Sequence, residues 1–190
     1  MKKGIFIVIS GPSGVGKGTI CDLLLKNKNI DFEYSVSMTT REKRNYEKDG
    51  IHYYFTTKEK FINKIKNNEF IEYAIYNNEY YGTLKSEVLK KLNQGKNIIS
   101  EIDVQGAKNI KNEFDNSLLI YVLPPSMEEL KNRLIKRGTE TKEEIDKRLK
   151  IAIVENENRY FYDYVVVNDK LDIAVKEIED IIKNKIIDNK

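Results

Sequence analysis

The run of five apolar residues at positions 5–9, which ends in a glycine-rich turn, constrains the fold of this chain more than any other segment. An uninterrupted apolar run of this length is typical of a strand that is buried on both faces of a parallel sheet. Three further short apolar runs, at residues 97–102, 118–123 and 164–167, have the same character. We therefore predict a parallel central sheet that includes all four segments.

Segments with helical periodicity lie between and after these apolar runs. They cover residues 19–26, 84–92, 105–114, 126–136, 142–156 and 171–187. Thr141 and Glu144 have the spacing of a capping box at the start of the fifth segment. Strands that alternate with helices predict an α/β fold, here a three-layer sandwich with the parallel sheet in the middle.

Two stretches interrupt this alternation. Residues 35–83 contain strand-like runs at 53–56 and 70–74 with one helix, 58–66, between them, which predicts an inserted, mostly β subdomain. Residues 126–158 form two charged helical segments around Gly138, and we interpret them as a mobile helical lid. The core is then made of three pieces of chain, which are residues 1–34, 84–125 and 159–190.

The glycine-rich turn has the G-x-x-x-x-G-K pattern of a P-loop, between a predicted strand and a predicted helix. Its residues are Gly11, Pro12, Ser13, Gly14, Val15, Gly16, Lys17, Gly18 and Thr19. Glycines allow the backbone to wrap closely around phosphate oxygens, and N–H groups at the helix N-terminus favour an anion. Lys17 has the position that reaches the β- and γ-phosphates of a nucleotide.

One residue departs from the usual P-loop pattern. Gly18 follows Lys17 where a Ser or Thr that ligates Mg²⁺ is expected. Thr19 or Ser13 supplies the hydroxyl instead, or the ion is held mostly by water and phosphate, as Mg²⁺ commonly is. Glu101, at the end of a predicted strand, is either a ligand to Mg²⁺-bound water or a structural acid.

Composition excludes several classes of protein. A net charge of +3 argues against binding of nucleic acid over a broad basic face, and no apolar stretch approaches the length of a membrane span. A single cysteine, Cys21, forms no intrachain disulfide and is interpreted as a packing residue. We expect a cytoplasmic protein with no obligate protein partner.

Arginine use is selective, because only six of the 33 basic residues are arginines. Five of these six lie in residues 35–83 or 126–158. The planar guanidinium suits two-pronged contacts to phosphate, so these segments are candidates for anion binding. Arg159, the sixth, is assigned to structure.

With its other motifs, the chain closely resembles the guanylate kinase family over nearly its whole length. The matching pieces, in family order, are the P-loop, T-T-R-x-x-R at 39–44, Asp49-Gly50, Tyr53-x-Phe55, Glu72, Y-Y-G-T at 80–83, E-I-D-x-Q-G at 101–106, Arg133, R-G-T at 137–139 and Asn168-Asp169. The resemblance implies transfer of a phosphoryl group from ATP to GMP, with Mg²⁺.

The resemblance also implies roles for individual residues. Arg41 and Arg44 resemble the clamp for the GMP phosphate, with Tyr53 and Tyr81 as hydroxyl donors to it. Glu72 resembles the residue that reads guanine, Ser37 and Thr83 resemble base contacts, and Asp103 resembles an acidic residue of the same site. Arg133, Arg137 and Arg148 resemble lid arginines, and Asn168 resembles an adenine contact. The lone His52 is interpreted as incidental, because an anionic phosphate acceptor requires no general base.

Three alternatives remain open at the level of sequence. Another nucleoside monophosphate kinase, such as an adenylate kinase, shares the form of the P-loop, although Glu72 and residues 81–83 argue against it. A non-catalytic guanylate kinase-like module would not need an intact P-loop. A P-loop ATPase or GTPase switch would leave residues 35–83 unexplained.

Overall fold

The computed structural model describes residues 3–26, 30, 32–76, 78–138 and 140–189. Thr139, which belongs to the predicted lid motif, lies outside the described residues. The strands are β1 (Phe6–Ser10), β2 (Phe32–Tyr34), β3 (Met38–Thr39), β4 (Tyr54–Phe55), β5 (Phe70–Tyr76), β6 (Glu79–Leu84), β7 (Asn97–Glu101), β8 (Ser117–Leu123) and β9 (Tyr164–Val167). The helices are α1 (Lys17–Lys26), α2 (Lys58–Lys66), α3 (Lys85–Asn93), α4 (Val104–Glu113), α5 (Met127–Arg137), α6 (Lys142–Glu157) and α7 (Leu171–Asp188), with a 3₁₀ turn at Arg159–Phe161.

A five-stranded sheet forms the centre of the molecule, with strand order β2-β7-β1-β8-β9. Every pairing in it is parallel, as the apolar runs predict. Strand β1 is buried along its whole length, because it pairs with β7 on one edge and β8 on the other and helices cover both of its faces. In a parallel sheet all strands end at the same edge, so the loops after β1 and β7 lie side by side.

Helices cover both faces of this sheet, which confirms the α/β class. On one face, Ile20 and Leu24 of α1 pack with Ile178 and Ile182 of α7 against alternate residues of β1. On the other face α3 and α4 pack on a second apolar cluster. Cys21 is buried within the first cluster, in agreement with its interpretation as a packing residue. None of the described helices has the length and apolar character needed to cross a lipid bilayer.

A second, four-stranded sheet lies within residues 38–84, with strand order β4-β3-β6-β5. Its strands β5 and β6 form an antiparallel hairpin. Helix α2 covers it through Phe61, which is fully buried and stacks on Phe70 with ring centroids 4.3 Å apart. Because α4 also packs against β5, the two sheets meet at the start of α4.

Helices α5 and α6 are the two charged helices predicted around Gly138. Ser126 caps α5, and Gly138 ends it in the left-handed conformation with φ +68°. Thr141 and Glu144 form the predicted capping box of α6. Leu130 and Leu134, one turn apart on α5, are buried and join the first apolar cluster, so α5 packs on the core in this conformation.

The structure differs from the sequence-based expectation mainly in short strands. The pattern predicts neither β2 nor β3, and it assigns no strand to residues 79–84, where β6 lies. Strands of two or three residues carry too few side chains to show an alternation, and neighbouring strands supply their hydrogen bonds. Helix α1 begins at Lys17, two residues before the predicted start, because the P-loop itself forms its first turn.

The packing of Phe61 generates a prediction for the second sheet. We expect Phe61→Ala to destabilise this subdomain by about 3–5 kcal/mol, since it removes a fully buried ring and leaves a cavity. Urea unfolding measures the change. The neighbouring Ile62, which is 37% exposed, is the matched control, and Ile62→Ala should cost about 1 kcal/mol or less. Equal losses for the two variants would contradict this account of the packing.

Candidate functional site

The P-loop lies at the carboxyl end of β1 and lines a cavity of about 440 Å³. The cavity is lined by Ser13, Gly14, Gly16, Lys17, Gly18, Thr19, Glu101 and Arg137. Strand β1 delivers the loop, β7 delivers Glu101, and α5 delivers Arg137. We call this the donor cavity.

The backbone of the P-loop requires glycine at position 16. Gly16 has φ +103°, and a Cβ atom there would lie 2.7 Å from Nδ2 of Asn168. That amide in turn donates to the carbonyl oxygen of Val15 at 2.8 Å. Asn168 is buried and supports the loop from behind. Its predicted role as an adenine contact stays a prediction.

The Lys17 ammonium donates to two carbonyl oxygens of its own loop, Gly11 at 2.6 Å and Pro12 at 3.0 Å. Burial lowers the pKa of Lys17, and the carboxylates of Glu101 and Glu155 act in the opposite direction. The ammonium is therefore held in a desolvated place at the wall of the donor cavity.

Two residues of the donor cavity bear on Mg²⁺. The Thr19 hydroxyl and the Glu101 carboxylate both line it, and burial raises the pKa of Glu101. Within the described ranges, no group of three His, Cys, Asp or Glu side chains is arranged to hold a metal ion. This donor set fits an ion that keeps most of its water ligands and meets phosphate oxygens, as Mg²⁺ does.

The three arginines predicted for the lid occupy different places around the P-loop. Arg137 lines the donor cavity. Arg133 donates to the carbonyl oxygen of Asn168 at 3.0 Å and also pairs with Glu129. Arg148 donates to the Ser13 hydroxyl at 2.5 Å and forms an ion pair with Glu140. All three predicted arginines therefore lie at the P-loop, although only Arg137 lines the cavity.

A second cavity, of about 260 Å³, lies between the two sheets, and we call it the acceptor cavity. Its lining residues are Tyr34, Ser37, His52, Tyr53, Glu72, Tyr81, Gly82, Glu101, Ile102 and Asp103. Five of the residues predicted for the GMP site are among them, namely Ser37, Tyr53, Glu72, Tyr81 and Asp103. Because Glu101 lines both cavities, the donor and acceptor cavities adjoin each other.

Glu72 is a half-buried acid of the acceptor cavity. Burial raises its pKa to about 7, and the hydrogen bond that Thr83 donates at 2.7 Å partly offsets this effect. Gly106 allows α4 to approach β5 here, since a Cβ at position 106 would lie 2.7 Å from the Cβ of Glu72. Thr83, predicted as a base contact, is buried, and its hydroxyl donates a hydrogen bond to Glu72.

Arg41 is fixed from several sides at the edge of this site. It lies over the rings of Tyr53 and Phe55, at 5.6 and 5.9 Å from their centroids. It also forms a 2.6 Å ion pair with Glu47. Arg44 is exposed and donates to the hydroxyl of Tyr46 at 2.9 Å. The two predicted clamp arginines lie on one loop, with the aromatic residues of the acceptor cavity beside Arg41.

Asp103 has a structural role in addition to its place in the acceptor cavity. It is the N-cap of α4, where its Oδ1 accepts from the backbone N–H of Gly106 at 2.7 Å. It also lines the acceptor cavity. One of its oxygens thus caps α4. The residue also lines the cavity that contains other residues predicted for the GMP site.

The sequence analysis missed four residues of this region. Glu47 pairs with Arg41, Glu140 pairs with Arg148, and the Tyr34 hydroxyl lies 3.4 Å from Oε1 of Glu101. The spacing of Arg41, Arg44 and Glu47, three residues apart each time, is a signal that points to Glu47. His52, interpreted as incidental, lines the acceptor cavity, and only the tertiary structure places it there.

Comparison with known proteins gives a consistent result. A family model described as guanylate kinase matches residues 3–185. The chain is 54% identical over 182 residues to a guanylate kinase of Clostridium tetani, which covers 96% of this chain and 86% of that protein. It is 48% identical over 189 residues to a guanylate kinase of Clostridioides difficile, with 98% and 92% covered.

A solved structure shares the fold. The crystal structure of guanylate kinase from Anaplasma phagocytophilum superimposes with a TM-score of 0.75 at 32% sequence identity. The similarity covers 97% of this chain and 87% of that one. The match therefore includes both sheets and the helices around the donor cavity.

The raised pKa of Glu72 generates a prediction about stability. The folded chain holds this proton up to about pH 7, whereas an unfolded glutamate releases it near 4.5, so Glu72 destabilises the folded state as pH rises through this window. We expect Glu72→Gln to raise the thermal midpoint at pH 8, by roughly 2–4 °C per kcal/mol relieved, and to raise it less at pH 5.

Calorimetric melting of both proteins at the two pH values measures this difference. Exposed Glu59→Gln is the control and should change the midpoint equally at pH 5 and pH 8. A gain from Glu72→Gln that does not depend on pH would contradict the assignment of the buried proton.

Proposed function

The chain belongs to the guanylate kinase family, and we propose that it transfers the γ-phosphoryl group of ATP to GMP, giving ADP and GDP. The observation that carries this proposal is the adjacency of two cavities at Glu101. One cavity is lined by a P-loop and the other by the half-buried carboxylate of Glu72 and by residues with hydroxyl groups. A P-loop ATPase or GTPase switch would need only the first of them.

The donor cavity would take the phosphates of ATP. The P-loop backbone would surround the β- and γ-phosphates, and the Lys17 ammonium would leave the carbonyl oxygens of Gly11 and Pro12 to reach them. Asn168 would lie near the adenine end. Thr19 and Glu101 would hold Mg²⁺, in part through water, and the ion would supply neutralisation of phosphate charge.

The acceptor cavity would take GMP with its base at Glu72 and its phosphate at Arg41 and Arg44. An ionised Glu72 accepts from both guanine N1–H and the exocyclic amine, a pair of donors that adenine does not present. Thr83 keeps the carboxylate oriented, and Ser37 and Asp103 offer further polar contacts to the nucleoside. Rejection of the wrong base by a buried site of this kind reaches roughly 10⁴-fold.

The reaction would need positioning rather than a general base. An oxygen of the GMP phosphate forms a bond to the γ-phosphorus of ATP, and the bond from that phosphorus to the β,γ-bridging oxygen breaks, so that ADP leaves. Lys17, Arg41 and the lid arginines would stabilise the negative charge on the transferred group. Tyr53 and Tyr81 would donate to the acceptor phosphate.

The lid would complete the donor site. Arg137 already lines the donor cavity, whereas Arg133 and Arg148 bind the P-loop or its support. We propose that α5 and α6, within residues 126–158, move as a unit and bring these guanidinium groups onto the phosphoryl group. We also propose that residues 35–83 form the GMP-binding subdomain. Residues 1–34, 84–125 and 159–190 would form the core. Closure would exclude water, which competes as an acceptor.

The acceptor preference tests the proposed reaction. With ATP and Mg²⁺, we expect turnover with GMP to exceed turnover with AMP, CMP or UMP by roughly 10⁴-fold, because only guanine pairs with Glu72. A coupled assay of ADP formation with each monophosphate gives the ratios. Preference for AMP would instead indicate an adenylate kinase, and no ADP formation with any of the four would indicate a binding module.

Lys17→Ala tests the donor site. We expect it to lower kcat by about 10³-fold or more, since the ammonium is proposed to stabilise charge on the transferred group, while the affinity for GMP stays within about threefold. Single-turnover kinetics and calorimetric titration with GMP measure the two quantities. Lys26→Ala, at the exposed end of α1, is the control. Retention of near-normal turnover in Lys17→Ala would refute the role of Lys17.

A further inference from the structure

A carboxylate is buried within the loop proposed to clamp the acceptor phosphate. The Glu47 side chain is only 4% exposed, although it lies three residues after Arg44 on a loop that is otherwise largely exposed. Its Oε1 pairs with Nη2 of Arg41 at 2.6 Å, and its Oε2 accepts from the backbone N–H of Arg44 at 2.7 Å. One carboxylate thus contacts both arginines of the clamp.

The backbone closes the same loop. The N–H of Glu47 donates to the carbonyl oxygen of Arg44 at 3.0 Å, so the chain between these residues is a hydrogen-bonded turn. Together with the two side-chain bonds of Glu47, this turn ties residues 41–47 into a compact unit. The path of the backbone at Arg44 therefore depends on Glu47.

The charge of Glu47 opposes the binding of an anion. An ionised carboxylate beside Arg41 reduces the positive potential that a phosphate experiences, and burying the pair carries a desolvation cost. Arg41 and the backbone N–H of Arg44 hold the pKa of Glu47 down at about 2, so the group stays charged at neutral pH. Electrostatic attraction of the phosphate therefore does not explain why a glutamate stands at position 47.

The hydrogen-bond geometry of Arg41 offers an explanation for the presence of Glu47. A guanidinium has five N–H donors. Arg41 gives one to Glu47 and one to the carbonyl oxygen of Glu42 at 2.7 Å, while its plane lies near the rings of Tyr53 and Phe55. These contacts limit the orientations of Arg41 and place its guanidinium beside Tyr53, which lines the acceptor cavity.

We propose that Glu47 is a positioning residue for the acceptor phosphate, which orients the Arg41 guanidinium and the backbone of Arg44 before the acceptor binds. The proposal rests on the proposed function, in which these two arginines hold the phosphate of GMP. The opposite possibility is that Glu47 competes with the phosphate for Arg41. The two differ in sign, because removal of a competitor strengthens phosphate binding and removal of a positioning residue weakens it.

The test compares Glu47→Gln with the wild type for GMP and for guanosine, which has the same base and ribose but no phosphate. We expect the Kd for GMP and its KM to rise about tenfold or more, since a neutral amide holds the guanidinium weakly. The Kd for guanosine and the KM for ATP should each stay within about threefold. Calorimetric titration and initial rates provide these values.

Control variants separate positioning from damage to the fold. Glu47→Asp keeps the charge but is one methylene shorter, so it should restore part of the affinity for GMP. Glu59→Gln, an exposed glutamate on α2, should match the wild type. If Glu47→Gln does not fold, as judged by circular dichroism, Glu47→Asp carries the test alone, with GMP binding weakened more than guanosine binding.

Three outcomes overturn the proposal: unchanged GMP affinity, tighter GMP binding, or equal weakening of GMP and guanosine. Each of them is read against a wild type that phosphorylates GMP. Absence of that activity in the wild type would instead refute the proposed function, so the two failures are distinguishable.

Discussion

The complete burial of β1 between β7 and β8 is the constraint on which the rest of the structure depends. Residues Phe6–Ser10 have no exposed face or edge, so their backbone is held on both sides and the loop that follows starts from a rigid point. The same parallel pairing brings the end of β7, with Glu101, next to the P-loop. A phosphate-binding loop on a flexible support would lose the geometry on which its backbone donors rely.

Carboxylates lie close to several of the cations that are proposed to bind phosphate. Three of the cations proposed to bind phosphate lie near a carboxylate, namely Lys17 near Glu101, Arg41 at Glu47 and Arg148 at Glu140. Desolvated cations without partners would destabilise the fold, and the partners also limit the number of orientations each cation adopts. Glu72 is the reverse case, because its carboxyl group sits in a poorly solvated place where guanine donors would favour the charged form.

Much of the architecture could be predicted from local pattern. The apolar runs identified β7, β8 and β9, and helical periodicity located α3 to α7 to within one or two residues. The capping box at Thr141 could also be predicted from the sequence, since its two partners are three residues apart. Strands β2 and β3 could not be predicted because they are short and are formed by pairing with distant segments. Strand β6 is longer and pairs with the neighbouring β5, but its residues 80–83 were interpreted as a site motif rather than as a strand.

By itself, the sequence determined the fold class, the P-loop and the set of polar residues that the two cavities would draw upon, because these depend on residue type and short spacing. Only the tertiary structure decided which of those residues face a cavity and which brace it. Arg137 lines the donor cavity, whereas Asn168 supports the loop from behind, and Thr83 donates to Glu72 within the protein. The physical reason is that burial and the partner of each hydrogen bond are set by chain segments far apart in sequence, which meet only when the sheets and helices pack.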